Sequence, residues 1–401
     1  MSLTTNNEFK APEAVTSAFG RVFYAAGNLL YFSQIVEDRQ QIARCYQNND
    51  PTSDEFSDLF PTDGGAVPLE GAVNIRALEP FRTGVLCFAD NGVWHVFGST
   101  TAFQADSFSV SKITDFGVKF PRSVVNVGNA VLYMHKSGLV GVVANEFDNI
   151  DSQIITDSSI KTKYLELFSN ANSNRVFGIY EDRKKRAWWV NPDTGDCLVY
   201  EVNLNAFYPQ KIAIPEVSQE KIIGAYDTEG SDEIIFLSSV ESPTKRVAFA
   251  SLSDEQFLDW GVADTGAYLV GGPENLGQFS QKKGATSIVM HFRRTETTVS
   301  DDGNGGYAYD YPSSCILSAI ADNSSYTGHT TKPQQMYRLN RRGWIPELLP
   351  IDLSQQGDDI VVVKDKIRAK GNNLKLRIDT EPGKDCQVLG YSVDYSMRGR
   401  Q

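Results

Sequence analysis

The segment RVFYAAGNLLYFS, residues 21–33, contains two short apolar runs on either side of a tight turn. Residues 21–25 and 29–33 are rich in the aromatic and aliphatic side chains that favour strands. Gly27 and Asn28 lie between these runs and readily adopt the positive φ angles that a two-residue hairpin turn requires. The segment therefore predicts a β-hairpin.

The same pattern of two strands around a turn recurs four times. The copies are residues 85–98 with a turn at Asp90-Asn91-Gly92, 130–143 with a turn at Lys136-Ser137-Gly138, 186–202 with a turn at 191–196, and 233–252 with a turn at 241–244. The five turns are spaced by about 54 residues on average, close to the ~40–50 residues of a propeller blade. We therefore predict an all-β chain in which residues 1–262 form an irregular β-propeller-like domain of about five or six blades. A run of consecutive sandwich hairpins is the alternative.

Residues 263–401 differ, because the hairpin repeat stops and longer strands follow a Gly-rich segment at 264–273. Predicted strands lie at 287–293, 315–321, 335–339, 360–369, 374–378 and 388–395. In KLRID, residues 375–379, polar and apolar side chains alternate with the period of two that is typical of a half-buried strand. We predict a β-sandwich domain for residues 263–401. The best candidates for helices are short, at 37–45 and 158–167.

Composition excludes several classes of protein. The 401 residues include 38 Lys or Arg and 50 Asp or Glu, which gives a net charge of −12. Such a chain is poorly suited to bind nucleic acid by neutralising phosphates. No apolar run reaches the ~18 residues of a membrane-spanning helix, and the opening sequence MSLTTNNEFK does not resemble a secretory signal.

The five cysteines are widely separated in the sequence. They are Cys45, Cys87, Cys197, Cys315 and Cys386. Their odd number and the absence of a Cys-x-x-Cys pair disfavour a disulfide scaffold, a zinc ribbon and a thioredoxin-like site. We expect free thiols in a protein made in a reducing cytoplasm.

Common catalytic motifs are absent from the sequence. It has no phosphate-cradling P-loop, no nucleophile elbow and no dinucleotide-binding loop. His95, His135 and His291 lie singly in predicted strands, and His329 lies in a predicted loop. None of them is spaced to share a metal with another histidine on one helical face. We predict no catalytic, cofactor-binding or metal-binding residue and no enzymatic activity.

Two acidic turns offer the hard oxygen ligands that calcium prefers. They are residues 301–306, DDGNGG, and residues 193–196, DTGD. Both lack the ligand spacing and the closing glutamate of a helix–loop–helix calcium site, so we interpret them as hairpin tips. Spacing along the chain does not identify a carboxylate pair for glycoside hydrolysis, because a propeller brings its acids together from different blades.

Basic residues cluster next to tryptophans in two places. Residues 182–186, DRKKR, precede Trp188 and Trp189. We interpret this run as a solvated approach to a core strand, with a site for an anionic ligand as the alternative. Arg338, Arg341 and Arg342 lie near Trp344 and suggest an interface, since Arg and Trp are favoured anchors. The tail Arg398-Gly399-Arg400 is interpreted as a solvated end.

Several segments together resemble a known family. They are residues 20–27 with 31–34, residues 45–53 with 62–65, residues 91–98 with 116–117 and 121–125, and residues 366–378 with 381–385 and 389–393. Across most of the chain the arrangement is similar to the tail nozzle proteins (tail tubular protein B) of short-tailed bacteriophages.

This resemblance implies a β-propeller body and a ring-shaped homo-oligomer, usually a hexamer, at the distal end of a phage tail. The partners that it implies are neighbouring tail and adaptor proteins, tail fibre or tip proteins, and genomic DNA that passes through the lumen without specific binding. It implies a virion protein that is assembled in the host bacterial cytoplasm, and it brings no catalytic residue or cofactor. A net charge of −12 would repel DNA phosphates from an acidic lumen.

Residues 300–311 form a polar Gly/Asp/Tyr segment that we expect to constrict such a channel until ejection. Two other functions are compatible with the same sequence. One is a tail-tip module that binds a receptor or glycan through exposed aromatic side chains. The other is a propeller enzyme that acts on surface polysaccharide.

Overall fold

The computed structural model shows an all-β chain that divides into two compact units. It describes residues 11–46, 60–98, 103–144, 150–157, 160–212, 220–227, 234–240, 246–251, 258–259, 262–272, 281–293, 298–301, 303, 307–309, 314–322, 327–330, 334–335, 351–352, 360–380, 382–383 and 386–397. The first unit comprises residues 1–211 and 216–251, and the second comprises 212–215 and 252–401. The domain boundary that the sequence places at residue 262 stays a prediction.

In the described ranges, the first unit contains five antiparallel sheets that follow one another along the chain. Sheet A contains β1 (Ala14–Ala18), β2 (Arg21–Ala26), β3 (Leu29–Phe32) and β4 (Gly65–Pro68); sheet B contains β5 (Ile75–Phe81), β6 (Gly84–Ala89), β7 (Gly92–Phe97) and β8 (Ser109–Thr114); sheet C contains β9 (Val125–Asn126), β10 (Ala130–His135), β11 (Gly138–Ala144) and β12 (Ile150–Ile154); sheet D contains β13 (Phe177–Glu181), β14 (Arg186–Val190), β15 (Asp196–Glu201) and β16 (Ala206–Lys211); sheet E contains β17 (Glu220–Asp227), β18 (Ile234–Val240) and β19 (Arg246–Ser251). In each sheet, strands that are consecutive in sequence are hydrogen-bonded neighbours.

The five predicted hairpins are confirmed as the pairs β2–β3, β6–β7, β10–β11, β14–β15 and β18–β19. The first turn places Ala26 opposite Leu29, with Gly27 at a φ of 62°. Both predicted helices are confirmed in position, but each is shorter than predicted and the first is a 3₁₀-helix. Residues 37–45 contain a 3₁₀-helix at Arg39–Ala43, and residues 158–167 overlap the α-helix α1 at Lys161–Phe168.

Successive sheets of the first unit share hydrophobic clusters. Sheets A and B contribute Phe23, Leu30, Phe32, Val67, Val85, Cys87, Trp94 and Val96 to one cluster. Sheets B and C contribute Leu86, Phe88, Val93, Val131, Tyr133, Val140 and Val142 to a second. Sheets C and D and α1 contribute Leu132, Met134, Leu139, Trp189, Leu198, Tyr164 and Phe168 to a third. Strand β6 is buried along its whole length because alternate side chains serve the clusters on its two sides.

The second unit contains shorter sheets and longer individual strands. Its strands are β20 (Leu258–Asp259), β21 (Val262–Ala263), β22 (Tyr268–Val270), β23 (Lys283–Arg293), β24 (Thr298–Asp301), β25 (Tyr307–Tyr309), β26 (Ser314–Ala321), β27 (Thr327–Thr330), β28 (Gln334–Gln335), β29 (Ile351–Asp352), β30 (Ile360–Gly371), β31 (Leu374–Thr380) and β32 (Val388–Met397). Sheet F pairs β20 with β21. Sheet G has the order β22-β31-β26-β27, with β28 also on β26; sheet H has β30-β23-β32; and sheet I has β25-β24-β29.

Sheets G and H share one hydrophobic cluster. Sheet H contributes Ala285, Ile288, Met290, Phe292, Ile367 and Ala369, and sheet G contributes Cys315, Leu317, Ala319, Leu376 and Ile378. The members recur at every second position in β26 and β31, which confirms the alternation that the sequence shows at 375–379.

One prediction for the second unit needs correction. His329 lies in strand β27 and not in a loop. Among the described strands β27 pairs only with β26, and such an edge strand tolerates the polar composition that resembles a loop. Within the segment 300–311, Ser300 pairs with Ala308 and Asp301 with Tyr307, and this antiparallel pairing of β24 and β25 agrees with the hairpin tip predicted at 301–306. Of the predicted strand 335–339, residues 336–339 lie outside the described residues.

Candidate functional site

The first strands of sheets B to E lie beside one another and present the polar cluster that is the candidate site. Glu79 on β5 accepts a hydrogen bond from Asn126 on β9, with 3.1 Å between Oε1 and Nδ2. The same amide nitrogen lies 3.2 Å from the carbonyl oxygen of Pro80. Burial raises the pKa of Glu79, and the bond from Asn126 opposes that shift. This carboxyl group thus ties sheet B to sheet C.

Arg122 extends the cluster from sheet C to sheets D and E. Its Nη2 donates to the carbonyl oxygen of Ile223 on β17 over 2.8 Å. Its guanidinium lies 5.6 Å from the ring centre of Phe177 on β13, which is within the range of a cation–π contact. Glu79, Asn126 and Arg122 therefore connect the first strands of four successive sheets.

A close approach of backbone supports this cluster. A Cβ atom at Gly178 of β13 would overlap the side chain of Val125 and lie 3.0 Å from the carbonyl oxygen of Ser123. That carbonyl accepts a hydrogen bond from Trp189 Nε1 over 2.8 Å. Since only glycine fits at 178, β13 can lie directly against the segment that holds Arg122.

We call the turn between the second and third strands of a sheet its tip, and the chain between successive sheets a linker. The first linker, residues 69–74, is hydrogen-bonded to the tips of both sheets A and B. The bonds are Leu69 N to Asn28 O at 2.9 Å, Val73 N to Asn91 Oδ1 at 2.9 Å, Asp90 N to Val73 O at 2.9 Å and Asn91 Nδ2 to Gly71 O at 2.7 Å. The predicted turn Asp90-Asn91-Gly92 thus holds a linker.

The second and third linkers are hydrogen-bonded to strand residues close to the tips. In residues 115–124 the bonds are Val118 N to Ala89 O at 3.0 Å and Lys119 N to Met134 O at 2.9 Å; in residues 155–176 they are Ile155 N to Leu139 O at 2.9 Å and Tyr164 Oη to His135 O at 2.5 Å. The third linker is also joined to the tip of sheet D by the ion pair of Arg175 with Asp193. Most of these joints use main-chain groups.

The two histidines of the first unit contact backbone carbonyls within these sheets. His135 Nδ1 lies 2.6 Å from the carbonyl oxygen of Gly117 in the second linker. His95 Nε2 lies 3.4 Å from that of Phe81, and its ring is stacked 4.7 Å from Phe97. Burial lowers the pKa of both rings, that of His95 to about 4. Both positions agree with the strand histidines that the sequence predicts.

Arg21 is a buried cation that the sequence analysis did not single out. Its Nη1 donates to the carbonyl oxygens of Ser33, at 2.6 Å, and Asp63, and its Nη2 donates to that of Pro61. Burial lowers its pKa, and the nearby Asp63 carboxylate opposes that shift. The position of this arginine after Gly20, at the start of an apolar strand, gave no signal of the role.

The basic run before Trp188 and Trp189 contacts carboxylates of its own sheet. The pairs are Lys184 with Glu181 at 3.4 Å, Lys185 with Asp182 at 2.7 Å and Arg186 with Glu201 at 3.3 Å. Both tryptophans are buried, and Trp188 Nε1 donates to Glu181 over 3.2 Å. These contacts agree with the interpretation of the run as a solvated segment that leads into a core strand. Lys184, Lys185 and Arg186 each pair with a carboxylate, which disfavours the alternative of an anion-binding site.

The acidic turn at 193–196 is also occupied by contacts within the protein. Asp193 pairs with Arg175, and Asp196 lies 4.0 Å from Lys211. Among the residues that the structure describes, no group of three or more His, Cys, Asp or Glu side chains is arranged to hold a metal ion. At the other acidic turn, Gly303 has a φ of 74°, while residues 302 and 304–306 lie outside the described part.

The remaining sequence predictions have mixed outcomes. All five cysteines are free thiols, as expected, and burial raises the pKa of Cys45 to about 11. His291 lies on β23, opposite Val362 and Gly390. Arg338, Arg341, Arg342, Trp344 and the tail Arg398-Gly399-Arg400 lie outside the described residues. No helix within the described ranges is long and apolar enough to cross a membrane.

Comparison with known proteins gives matches to solved structures only. No protein-family model matches the chain, and no curated protein matches it. The chain is similar to an extracellular domain of a one component system, BT4673, of B. thetaiotaomicron, at 10% identity and a TM-score of 0.36, over 62% of this chain and 29% of that one. It thus spans less than a third of that protein's length.

Two further structures are similar at the same level. One is virginiamycin B lyase from Staphylococcus aureus, at 10% identity and a TM-score of 0.34, over 61% of this chain and 70% of that one. The other is the β-propeller domain of Cps50 (Swd1) from Myceliophteria thermophila, at 10% identity and a TM-score of 0.33, over 61% and 74%. Likenesses this distant assign no function to the chain.

Proposed function

We propose that this chain is a structural protein of a bacteriophage tail, in which copies form a ring-shaped nozzle or hub that conducts and gates DNA during ejection. The observation that supports it best is the use of buried or half-buried charged and polar groups. Arg21, His95, His135 and Glu79 all contact backbone carbonyls or neighbouring strands of the same unit. This is the chemistry of a scaffold and not of a reaction centre, and it agrees with the resemblance of residues 20–27, 31–34, 91–98, 116–117 and 121–125 to tail nozzle proteins.

The finer architecture belongs to the same proposal. Sheets A to D are four-stranded antiparallel meanders in chain order, which is the composition of propeller blades. Sheet E, with three described strands, follows as the fifth. Sheets G and H share one hydrophobic cluster, as the two layers of a β-sandwich do. We therefore assign a β-propeller-like body followed by a β-sandwich.

Charge supports a passive conduit for DNA. The net charge of −12 gives long-range repulsion of phosphates, which keeps a passing duplex from adhering to the wall. The hairpin of β24 and β25 supplies a narrow element that could be placed across the channel and displaced on ejection. The partners in this proposal are other copies of the chain, adjoining tail and fibre or tip proteins, and the DNA itself, in a virion that is assembled in the bacterial cytoplasm.

Electron microscopy of the purified protein and of the phage particle tests this function, with the solution mass measured alongside. We expect closed rings, or density at the tail tip into which the two units fit. A protein that has no place in the tail would contradict the proposal. Saturable binding or cleavage of host surface polysaccharide would then favour the tail-tip module or the enzyme.

A further inference from the structure

Strand β22 is an edge strand that exposes apolar side chains on both faces. It pairs with β31 on one side, and no described strand pairs with its other side. Tyr268, Leu269 and Val270 are 53%, 55% and 44% exposed. Exposed apolar edges are sites where a further strand adds to a sheet. The edge strand β30 of sheet H differs, since its exposed face includes the charged side chains of Lys364 and Lys366, which discourage such addition.

The main-chain groups at this edge are placed for a partner strand. Ala267 O accepts from Thr380 N over 2.8 Å, and Gly271 N donates to Leu376 O over 2.8 Å. Because successive residues of a strand direct these groups to opposite sides, those of Tyr268 and Val270 point away from β31. The open edge therefore offers two amide donors and two carbonyl acceptors.

We propose that β22 pairs with β22 of a second copy of this chain, antiparallel and with Leu269 on the two-fold axis. In this register Tyr268 of each copy lies opposite Val270 of the other copy. Each of these two pairs exchanges two main-chain hydrogen bonds. The arrangement is self-complementary, as a two-fold contact requires. It uses every outward main-chain group of the strand.

Side chains on both faces favour this register. Leu269 lies opposite Ile378, a buried core residue, and therefore on the core face of sheet G. Two copies of Leu269 meet across the axis and extend that core from one protein into the other. On the opposite face, Tyr268 meets Val270, an aromatic and β-branched pair of the kind that stabilises sheets.

Charges next to the strand are complementary in the paired form. Arg377 lies opposite Val270, and Asp379 lies opposite Tyr268. Their side chains form an ion pair at 2.6 Å, and the guanidinium lies 4.9 Å from the ring centre of Tyr268. Across the axis, Asp379 lies beside Tyr268, which faces Val270 of the second copy, and that valine lies beside Arg377 of the second copy. No two like charges are therefore adjacent.

The contact is small, and it is separate from the contacts that would close the proposed ring. Three side chains bury much less than the ~800 Å² per partner of a stable complex, so the pair is weak in dilute solution. It becomes occupied where many copies are held close together, because tethering raises their effective concentration. A ring uses head-to-tail contacts, whereas this two-fold contact would join two copies independently of the ring.

A cysteine scan tests the register directly. Leu269→Cys places two thiols on the axis, where Cα atoms of a non-hydrogen-bonded pair are about 4.5 Å apart, within the ~4.4–6.8 Å of a disulfide. In Tyr268→Cys the two thiols would be diagonal neighbours at about 7–8 Å, beyond that range. Leu204→Cys, in a turn and 71% exposed, controls for exposure alone.

Mild oxidation of concentrated full-length protein is followed by non-reducing denaturing gels, which report the cross-link whether or not a ring forms. We expect a covalent dimer for Leu269→Cys and none above the parent level for Tyr268→Cys or Leu204→Cys. The inference would be overturned if all three variants cross-linked equally, or if Tyr268→Cys cross-linked in preference to the others. It would also be overturned if Leu269→Cys did not cross-link while its circular dichroism spectrum stayed unchanged. Sedimentation of the chain without any introduced cysteine gives a second test. We expect Leu269→Lys to abolish its concentration-dependent pairing and Leu204→Lys to leave that pairing intact.

Discussion

Arg21 places a full charge inside sheet A, where only 2% of the residue is exposed. Its guanidinium satisfies the carbonyl oxygens of Ser33, Asp63 and Pro61, which belong to segments far apart in the sequence. The residue thus joins the two ends of the connection between β3 and β4. A single side chain here replaces the backbone pairing that a regular strand would provide.

We expect Arg21→Met to lower the free energy of unfolding by about 3 kcal/mol, since buried acceptors lose their donors. Urea unfolding followed by tryptophan fluorescence measures the change. The matched control is Arg39→Met, at an exposed arginine, which we expect to be nearly neutral. Equal effects of the two substitutions would contradict the role assigned to Arg21.

His95 makes the stability of the first unit depend on pH. Its folded-state pKa, about 4, lies below the ordinary 6.5, so the unfolded chain binds the proton more readily. Stability is therefore fully present above about pH 6.5 and decreases as pH falls from there towards 4, by up to about 3 kcal/mol.

Unfolding free energies measured between pH 7.5 and 4.5 test this linkage. We expect His95→Gln to flatten the pH dependence relative to the parent chain. Arg39→Gln, at an exposed residue of the same unit, is the control and should leave it unchanged. A parent-like slope in His95→Gln would show that other groups cause the loss.

The linkers depend on close backbone contacts, as Gly117 shows. A Cβ atom there would overlap the carbonyl of Asp90 in the tip of sheet B. We expect Gly117→Ala to destabilise the protein by about 1–3 kcal/mol, as overpacking of a fixed backbone does. Thermal unfolding measures the effect, and Gly272→Ala, where a Cβ atom would meet nothing within 4 Å, is the control. Similar melting temperatures for the two variants would contradict this account of the linkers.

The strands of the first unit were predictable because their information is local. The run at residues 186–190 matches β14 at both ends, since a charged run precedes it and a turn with Gly195 follows it. In the second unit, β27 was missed because pairing with β26 outweighs its polar sequence. Local composition thus predicts a strand well where its side chains are buried and poorly where it lies at an edge.

The candidate site was not predictable, because its contacts join distant parts of the chain. Asn126 meets Glu79 across 47 residues, and Arg122 meets Ile223 across 101. Nothing in the charge pattern around Glu79 marks it, and only a family resemblance marks Pro121-Arg122-Ser123. Such pairs are fixed by the stacking of sheets and not by spacing in the sequence.

The acidic charge of the whole molecule predicts its behaviour towards DNA. We expect fluorescence anisotropy of a labelled duplex to show no binding at physiological salt and none when salt is lowered, since no counterions would be released. A matched basic protein of known affinity serves as the positive control. Saturable binding that weakens steeply with added salt would contradict a passive conduit.

The linkers have a consequence for how this protein can change over generations. Their joints to the tips are made largely by amide and carbonyl groups, which every residue except proline supplies in full. The exposed side chains of the linkers can therefore be exchanged without loosening the stack of sheets, provided that close-contact positions such as Gly117 and buried ones such as Phe120 and Tyr164 are kept. A lineage of such proteins could lose recognisable sequence identity quickly while the order of its sheets persists.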